Sequence, residues 1–276
     1  MHAAPELFFL TADSSRGQRL CVHHRPQGQA ALGAVVYVHP FAEEMNKSRR
    51  MAALQSRAFA RAGYAVLQID LLGCGDSSGD FGDATWADWV DDVVTAARWM
   101  QHRYAQPLWL WGLRVGCLLA CEAAQRIDPP CNLLLWQPPV AGKPLLQQFL
   151  RLKLAGDMLG GQAKGAMDKL RAQLAAGNAV EIAGYALAPA LASGLETAVL
   201  TPPPIACQVK WFEVSTRDEP SLLPASGLVV ERWQHAGHDL TTHVVQGPAF
   251  WQTTEIEEAP ALIDATLAAL VETAAA

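Results

Sequence analysis

The sequence predicts an α/β fold: a mostly parallel sheet wrapped by helices. Short apolar runs rich in β-branched residues alternate with amphipathic stretches across residues 34–139. Those runs are apolar throughout rather than at every second residue, as in strands covered on both faces. Glycine-rich turns follow two of them, LLGCGDSSGD at 71–80 and GLRVG at 112–116. Parallel strands need crossover connections, and helices of suitable length lie between the runs.

Taken in order, LFFLTA (7–12) and QRLCVHHR (18–25) read as an opening hairpin with DSSRG as its turn. AVVYVHP (34–40) reads as a central strand. A helix follows from about 46 to 62, with Met51, Leu54, Ala58 and Ala62 at helical spacing and Gly63 as its stop. AVLQID (65–70) is the next strand. Thr85 with Asp88 forms a capping box, and Trp86, Trp89, Val90, Val93, Val94, Ala97 and Met100 draw the stripe of a helix ending near Tyr104. PLWLWG (107–112) and CNLLLWQPP (131–139) are strands on either side of a helix at 115–127.

The alternation breaks after Pro139. LLQQFLRLKL and MDKLRAQL are amphipathic at spacings of three and four, VEIAGYAL follows, and PPP at 202–204 closes the segment. Residues 141–204 therefore read as a helical cap inserted into a core made of 1–140 and 205–276. CQVKWFEVS (207–215) and GLVVERW (227–233) read as further strands, and a last helix starts near Pro260.

Composition narrows the function. With 51% hydrophobic and 17% charged residues over 276 positions, the chain can bury a large core. A net charge of -6 supplies no attraction for nucleic acid. No apolar run approaches the roughly 18 residues of a membrane span, and MHAAPELFF lacks the cationic start of a signal peptide. The six cysteines contain no C-x-x-C pair and sit mostly in apolar segments, which suits buried thiols in the cytoplasm. His235, His238, Asp239 and His243 cluster, yet show no complete metal-ligand spacing, so neither metal nor cofactor is expected.

Ligands of such sheets bind beyond the carboxyl ends of the strands, and the chemistry is sought there. Gly112-Leu113-Arg114-Val115-Gly116 has the strand–turn–helix context of a nucleophile elbow, G-x-S-x-G, with arginine in place of serine. A guanidinium stays charged and cannot attack a carbonyl. After the strand at 34–40, the Phe41 amide is the candidate oxyanion donor, joined by that of Val115, with Glu43, Glu44, Lys47, Arg49 and Arg50 in the same loop. Asp218 falls where a triad acid would lie, with Glu219 beside it, and Gly237-His238 matches the glycine–histidine of a triad. Cys117 faces the core and Cys74 sits in a tight loop, which makes both weak nucleophile candidates.

The motifs HPFAEEMNKSRRM, LLGCGDSSGDF, GLRVG and GPAFWQTTEIEEAP together resemble one family, exosortase A system-associated hydrolase 2, over nearly the whole chain. The D-x-x-G-x-G-x-S loop at 70–77 is a structural signature of α/β-hydrolases. The resemblance implies the α/β-hydrolase fold, a link to bacterial exopolysaccharide and protein-sorting gene clusters, and an elbow arginine that belongs to the family. His39, where the family has proline, departs from the pattern.

Arg114 at a helix N-terminus would favour a carboxylate or phosphate. Buried, it needs a partner: Asp218, one of Glu43 and Glu44, or an anionic ligand. Three functions follow. One is binding of an anionic small molecule, lipid or saccharide beneath the cap. The second is slow hydrolysis by water activated through His238 and Asp218, with Arg114 stabilising the oxyanion. The third is protein interaction through Phe250, Trp251 and Glu255, against which stands simple packing of the last helix.

Overall fold

A computed structural model describes residues 4–11, 16–28, 30–158 and 165–275. The strands are β1 (Glu6–Thr11), β2 (Gln18–His24), β3 (Gly33–Val38), β4 (Tyr64–Ile69), β5 (Leu108–Leu113), β6 (Asn132–Trp136), β7 (Val180–Ile182), β8 (Tyr185–Leu187), β9 (Gln208–Ser215) and β10 (Asp239–Gln246). Eight of them form one sheet in the order β1-β2-β4-β3-β5-β6-β9-β10, and β7-β8 is a separate hairpin. Only β2 runs against its neighbours in the large sheet. Most of the turn expected between β1 and β2 lies outside the described residues.

Helices α1 (Glu43–Arg61), α2 (Trp86–Arg103), α3 (Val115–Ala124), α4 (Lys143–Met158), α5 (Ala166–Ala175), α6 (Pro189–Thr197), α7 (Pro224–His235) and α8 (Pro260–Ala275) complete the chain. Alternate residues of each central strand feed two cores. Val35, Tyr37, Trp109 and Trp111 meet α1 and α8 on one face, while Val36, Val38 and Leu110 meet α2 and α3 on the other. The Trp111 and Trp136 rings pack edge to face at 4.7 Å, fixing β5 against β6 and so the base of the elbow. The capping box of α2 is present: Asp88 N–H donates to the Thr85 hydroxyl at 3.2 Å, and Thr85 N–H donates to the Asp88 carboxylate at 3.0 Å.

The segment between β6 and β9 contains α4, α5, the β7-β8 hairpin and α6. No helix of the described residues is long and apolar enough to cross a membrane.

One expected strand is a helix. Residues 227–233 lie inside α7, and β10 is instead DLTTHVVQ. The buried side chains of α7 are Ser226, Val229, Val230 and Trp233, a spacing of three and four that belongs to a helix. The β-branched pair Val229-Val230 obscures it. Pro224 opens this helix at its first turn, where the missing N–H has no cost.

Beneath the LLGCGDSSGD loop, Arg19 Nε donates to Asp92 Oδ2 at 2.7 Å with both side chains almost fully buried, and the same oxygen accepts Leu72 N–H at 2.8 Å. Removing one partner strands a charge, so Arg19→Met or Asp92→Leu should lower urea-unfolding stability by about 3–5 kcal/mol. The double replacement should recover most of that loss.

Burial holds His23, His39, His238 and His243 below the ordinary histidine range, and takes His24 down to about 4. Below about pH 6.5 the unfolded chain therefore binds protons that the fold excludes. Stability should be full above that pH and fall as pH drops toward 4. His24→Gln should flatten the unfolding free energy across this window.

Candidate functional site at the elbow after β5

The elbow is built by two close approaches. A Cβ on Gly112 would lie 2.6 Å from Cys117 Cα, and one on Gly116 would overlap the Val38 carbonyl oxygen. Glycine at both positions lets α3 start directly against β3 and β5. The turn leaves Arg114 at φ 55 and ψ -120, a conformation that costs a non-glycine residue about 1–3 kcal/mol. It is held by Arg114 N–H donating to Trp136 O at 3.0 Å and Cys117 N–H donating to Arg114 O at 2.9 Å. Ala42, after β3, adopts nearly the same angles, φ 48 and ψ -123, and turns Glu43 and Glu44 into the first turn of α1.

The guanidinium is almost buried and does not reach toward Asp218. Nη2 donates to Glu44 Oε1 at 3.1 Å, and Nε lies 3.3 and 3.4 Å from the two oxygens of that carboxylate. Nη2 also donates to Gln148 Oε1 at 3.2 Å, and the Trp251 ring centre lies 5.7 Å from Cζ. With 12% and 10% of the Arg114 and Glu44 side chains exposed, water screens this pair little. Burial raises the Glu44 carboxyl above its ordinary value, and Arg114 opposes that rise. Burial also raises Glu43, whose Oε2 is enclosed without a hydrogen-bond partner.

Phe41 and Val115, the two expected oxyanion donors, line one cavity of about 20 Å³ with Glu43, Glu44, Gln148 and Phe149. That volume holds about one water. Phe41 is locked by edge-to-face contacts with Phe81, Trp89 and Phe149 at 5.1–5.7 Å. Cys117 is fully buried, its thiol donating to Trp136 O at 3.4 Å and held well above the ordinary thiol range by burial. Cys74 is buried and raised in the same way. His39 donates from Nδ1 to Pro40 O at 2.8 Å and accepts Leu71 N–H at Nε2 at 3.3 Å, tying β3 to the loop after β4.

The histidine is not brought to the elbow, whereas Asp218 follows the parallel β9 at the elbow's end of the sheet but makes no ion pair with Arg114. His238 precedes β10, where its Nδ1 accepts Cys207 N–H at 3.3 Å at the amino ends of β9 and β10. The elbow lies at the carboxyl end of the parallel β5. The two ends are separated by an eight-residue strand, roughly 25 Å. The expectation of a strand at 227–233 produced this displacement, since a glycine–histidine after a strand points at the site and one before a strand points away. Asp218 lies exposed in the loop after β9, without an ion pair among the described residues.

Two residues not singled out for Arg114 complete its surroundings. Gln148, within an amphipathic helix, carries no sequence signal of its role. Trp251 lies in the GPAFWQTTEIEEAP motif. Phe250 and Trp251 are buried, so they form no exposed aromatic patch. The segment after β10 is fastened to α1 by Lys47 Nζ donating to Gln252 O at 3.4 Å and by an Arg50–Glu258 ion pair. Among the described residues, no three or more His, Cys, Asp or Glu side chains gather as a metal site.

Residues 29–191 match the family described as serine aminopeptidase, S33. The chain belongs to that family. Its fold is that of the α/β-hydrolases. Est1E from Butyrivibrio proteoclasticus, solved with ferulic acid bound, has a TM-score of 0.69 at 13% identity, over 98% of this chain and 100% of its own. A highly thermostable carboxyl esterase from Bacillus coagulans, in complex with glycerol, has a TM-score of 0.65 at 16% identity, over 98% of each chain. The proline iminopeptidase of Mycobacterium smegmatis has a TM-score of 0.58 at 14% identity, over 98% of this chain and 99% of its own. No curated protein matches the chain in sequence. In this S33-family chain the tip of the turn between β5 and α3 carries a cation.

Breaking the pair tests its weight. Glu44→Ala should destabilise by about 3–5 kcal/mol in chemical unfolding, because Arg114 stays buried without its carboxylate. Arg114→Ala should cost less, since Glu44 escapes charge by protonation.

Proposed function

We propose that this chain binds an anionic ligand at the elbow and forms no acyl-enzyme there. On this reading it is a cytoplasmic member of the exosortase A system-associated hydrolase 2 group, and the segment 141–204 serves as its cap. The observation that carries the reading is the Glu44 carboxylate gripped by Arg114 at the tip of the elbow. Glu44 is an internal stand-in for a ligand carboxylate or phosphate. Such a ligand displaces it and takes over the guanidinium fork and the amide at the start of α3.

The raised carboxyl of Glu44 sets a pH dependence. When pH falls through its folded pKa, Glu44 becomes neutral and Arg114 is left without a counter-charge. Affinity for an anion that stays ionised should therefore rise as pH falls from neutrality toward the ordinary carboxylate value of 4.5, read by calorimetry with inorganic sulfate. Glu44→Gln should bind more tightly at pH 7 and lose the pH dependence. Arg114→Ala should lose the ligand-induced rise in Tm. An anion that shifts the wild type and Arg114→Ala equally would refute the reading, as would labelling by a fluorophosphonate.

A second reading is slow hydrolysis by water. It is favoured by the enclosed Glu43 oxygen, which lacks a partner in a cavity of one-water size. Glu43, rather than His238, then takes the proton from water, and Arg114 with the Phe41 and Val115 amides stabilises the oxyanion. Glu43→Gln should remove any ester turnover while His238→Gln leaves it intact.

A further inference from the structure

The chain has a larger opening than the cavity at the elbow. Between α4, α5 and α6 runs a groove of about 510 Å³, the size that ordinarily houses a small-molecule ligand. Leu146, Leu150, Leu174, Pro189 and Ala192 make its walls.

We infer that this groove is a second ligand site, taking a single hydrocarbon chain with an anionic head held by Arg171. Two observations point to that chemistry. Glu196, the acid at the groove, is answered by Lys143 at 3.5 Å, whereas Arg171 has no ion pair among the described residues. Residues 141–204 also carry six Lys and Arg against four Asp and Glu, in a chain whose net charge is -6. The groove therefore offers apolar area for a chain and, at its exposed rim beside Gln147 and Ser193, a guanidinium that makes no ion pair among the described residues and can meet a carboxylate or phosphate.

The site goes beyond the elbow reading because α4 stands between the two. Leu146, Gln147 and Leu150 face the groove, while Leu145, Gln148 and Phe149 line the elbow cavity. A chain lodged in the groove bears on the helix whose opposite side supplies Gln148 to Arg114.

The test is calorimetry on the full chain, below micelle concentrations, with dodecanoate and dodecyl phosphate, against dodecyltrimethylammonium. The expected result is one molecule per chain for at least one anionic probe, at least tenfold tighter than for the cation. Preference for the carboxylate identifies a free fatty acid as the source, and preference for the phosphate a single-chain phospholipid. Arg171→Glu should weaken binding at least tenfold. Ser193→Trp, at an exposed lining position, should abolish it without altering circular dichroism or Tm. Arg114→Ala should retain it, which separates this site from the elbow. No binding, equal binding of the cation, or indifference to both groove variants overturns the inference. Loss of binding in Arg114→Ala alone overturns it too, by assigning the amphiphile to the elbow.

Discussion

The site rests on one buried ion pair. Arg114 stands at the tip of the turn between β5 and α3, and a guanidinium buried there is tolerable only because Glu44 meets it. That need propagates outward. Glu44 is delivered by the turn at Ala42, which places α1 at the end of β3. The same helix then fastens the segment after β10 through Lys47 and Arg50, and that segment lays Trp251 over the cation. Interactions from α1, α4 and the chain after β10 thus converge on a single charge.

The same convergence explains why the cavity at the elbow is small. In a catalytic elbow the volume before the oxyanion donors is open to substrate. Here Gln148 and Phe149 close it from α4, Phe41 is packed among other rings, and about one water's space remains. The groove on the far side of α4 is the larger opening, so the helix acts as a partition between a small cavity and a wide groove. Its position is set by both.

Legibility in the sequence followed how local each signal was. The capping box at Thr85 and Asp88, the apolar strands and the elbow glycines are decided within a few residues, and each appears where it was read. The turn around Arg114 was recognisable because its glycines answer to steric contact. Failure came at residues 224–246, where two β-branched valines suggested a strand although Ser226, Val229, Val230 and Trp233 already had helical spacing. That one exchange of helix for strand carried His238 to the wrong end of the sheet. The partner of Arg114 stayed open among several acids because it depends on how α1 is aimed, a tertiary matter. Gln148 was invisible for the same reason.

The stretch after β10, GPAFWQTTEIEEA, contains no histidine, and its Trp251 is packed against the cation. Replacing Arg114 alone would leave Glu44 facing the vacancy and take the cation from beneath the Trp251 ring. A substitution at the turn is consequently felt at once in α1, in α4 and in the chain after β10.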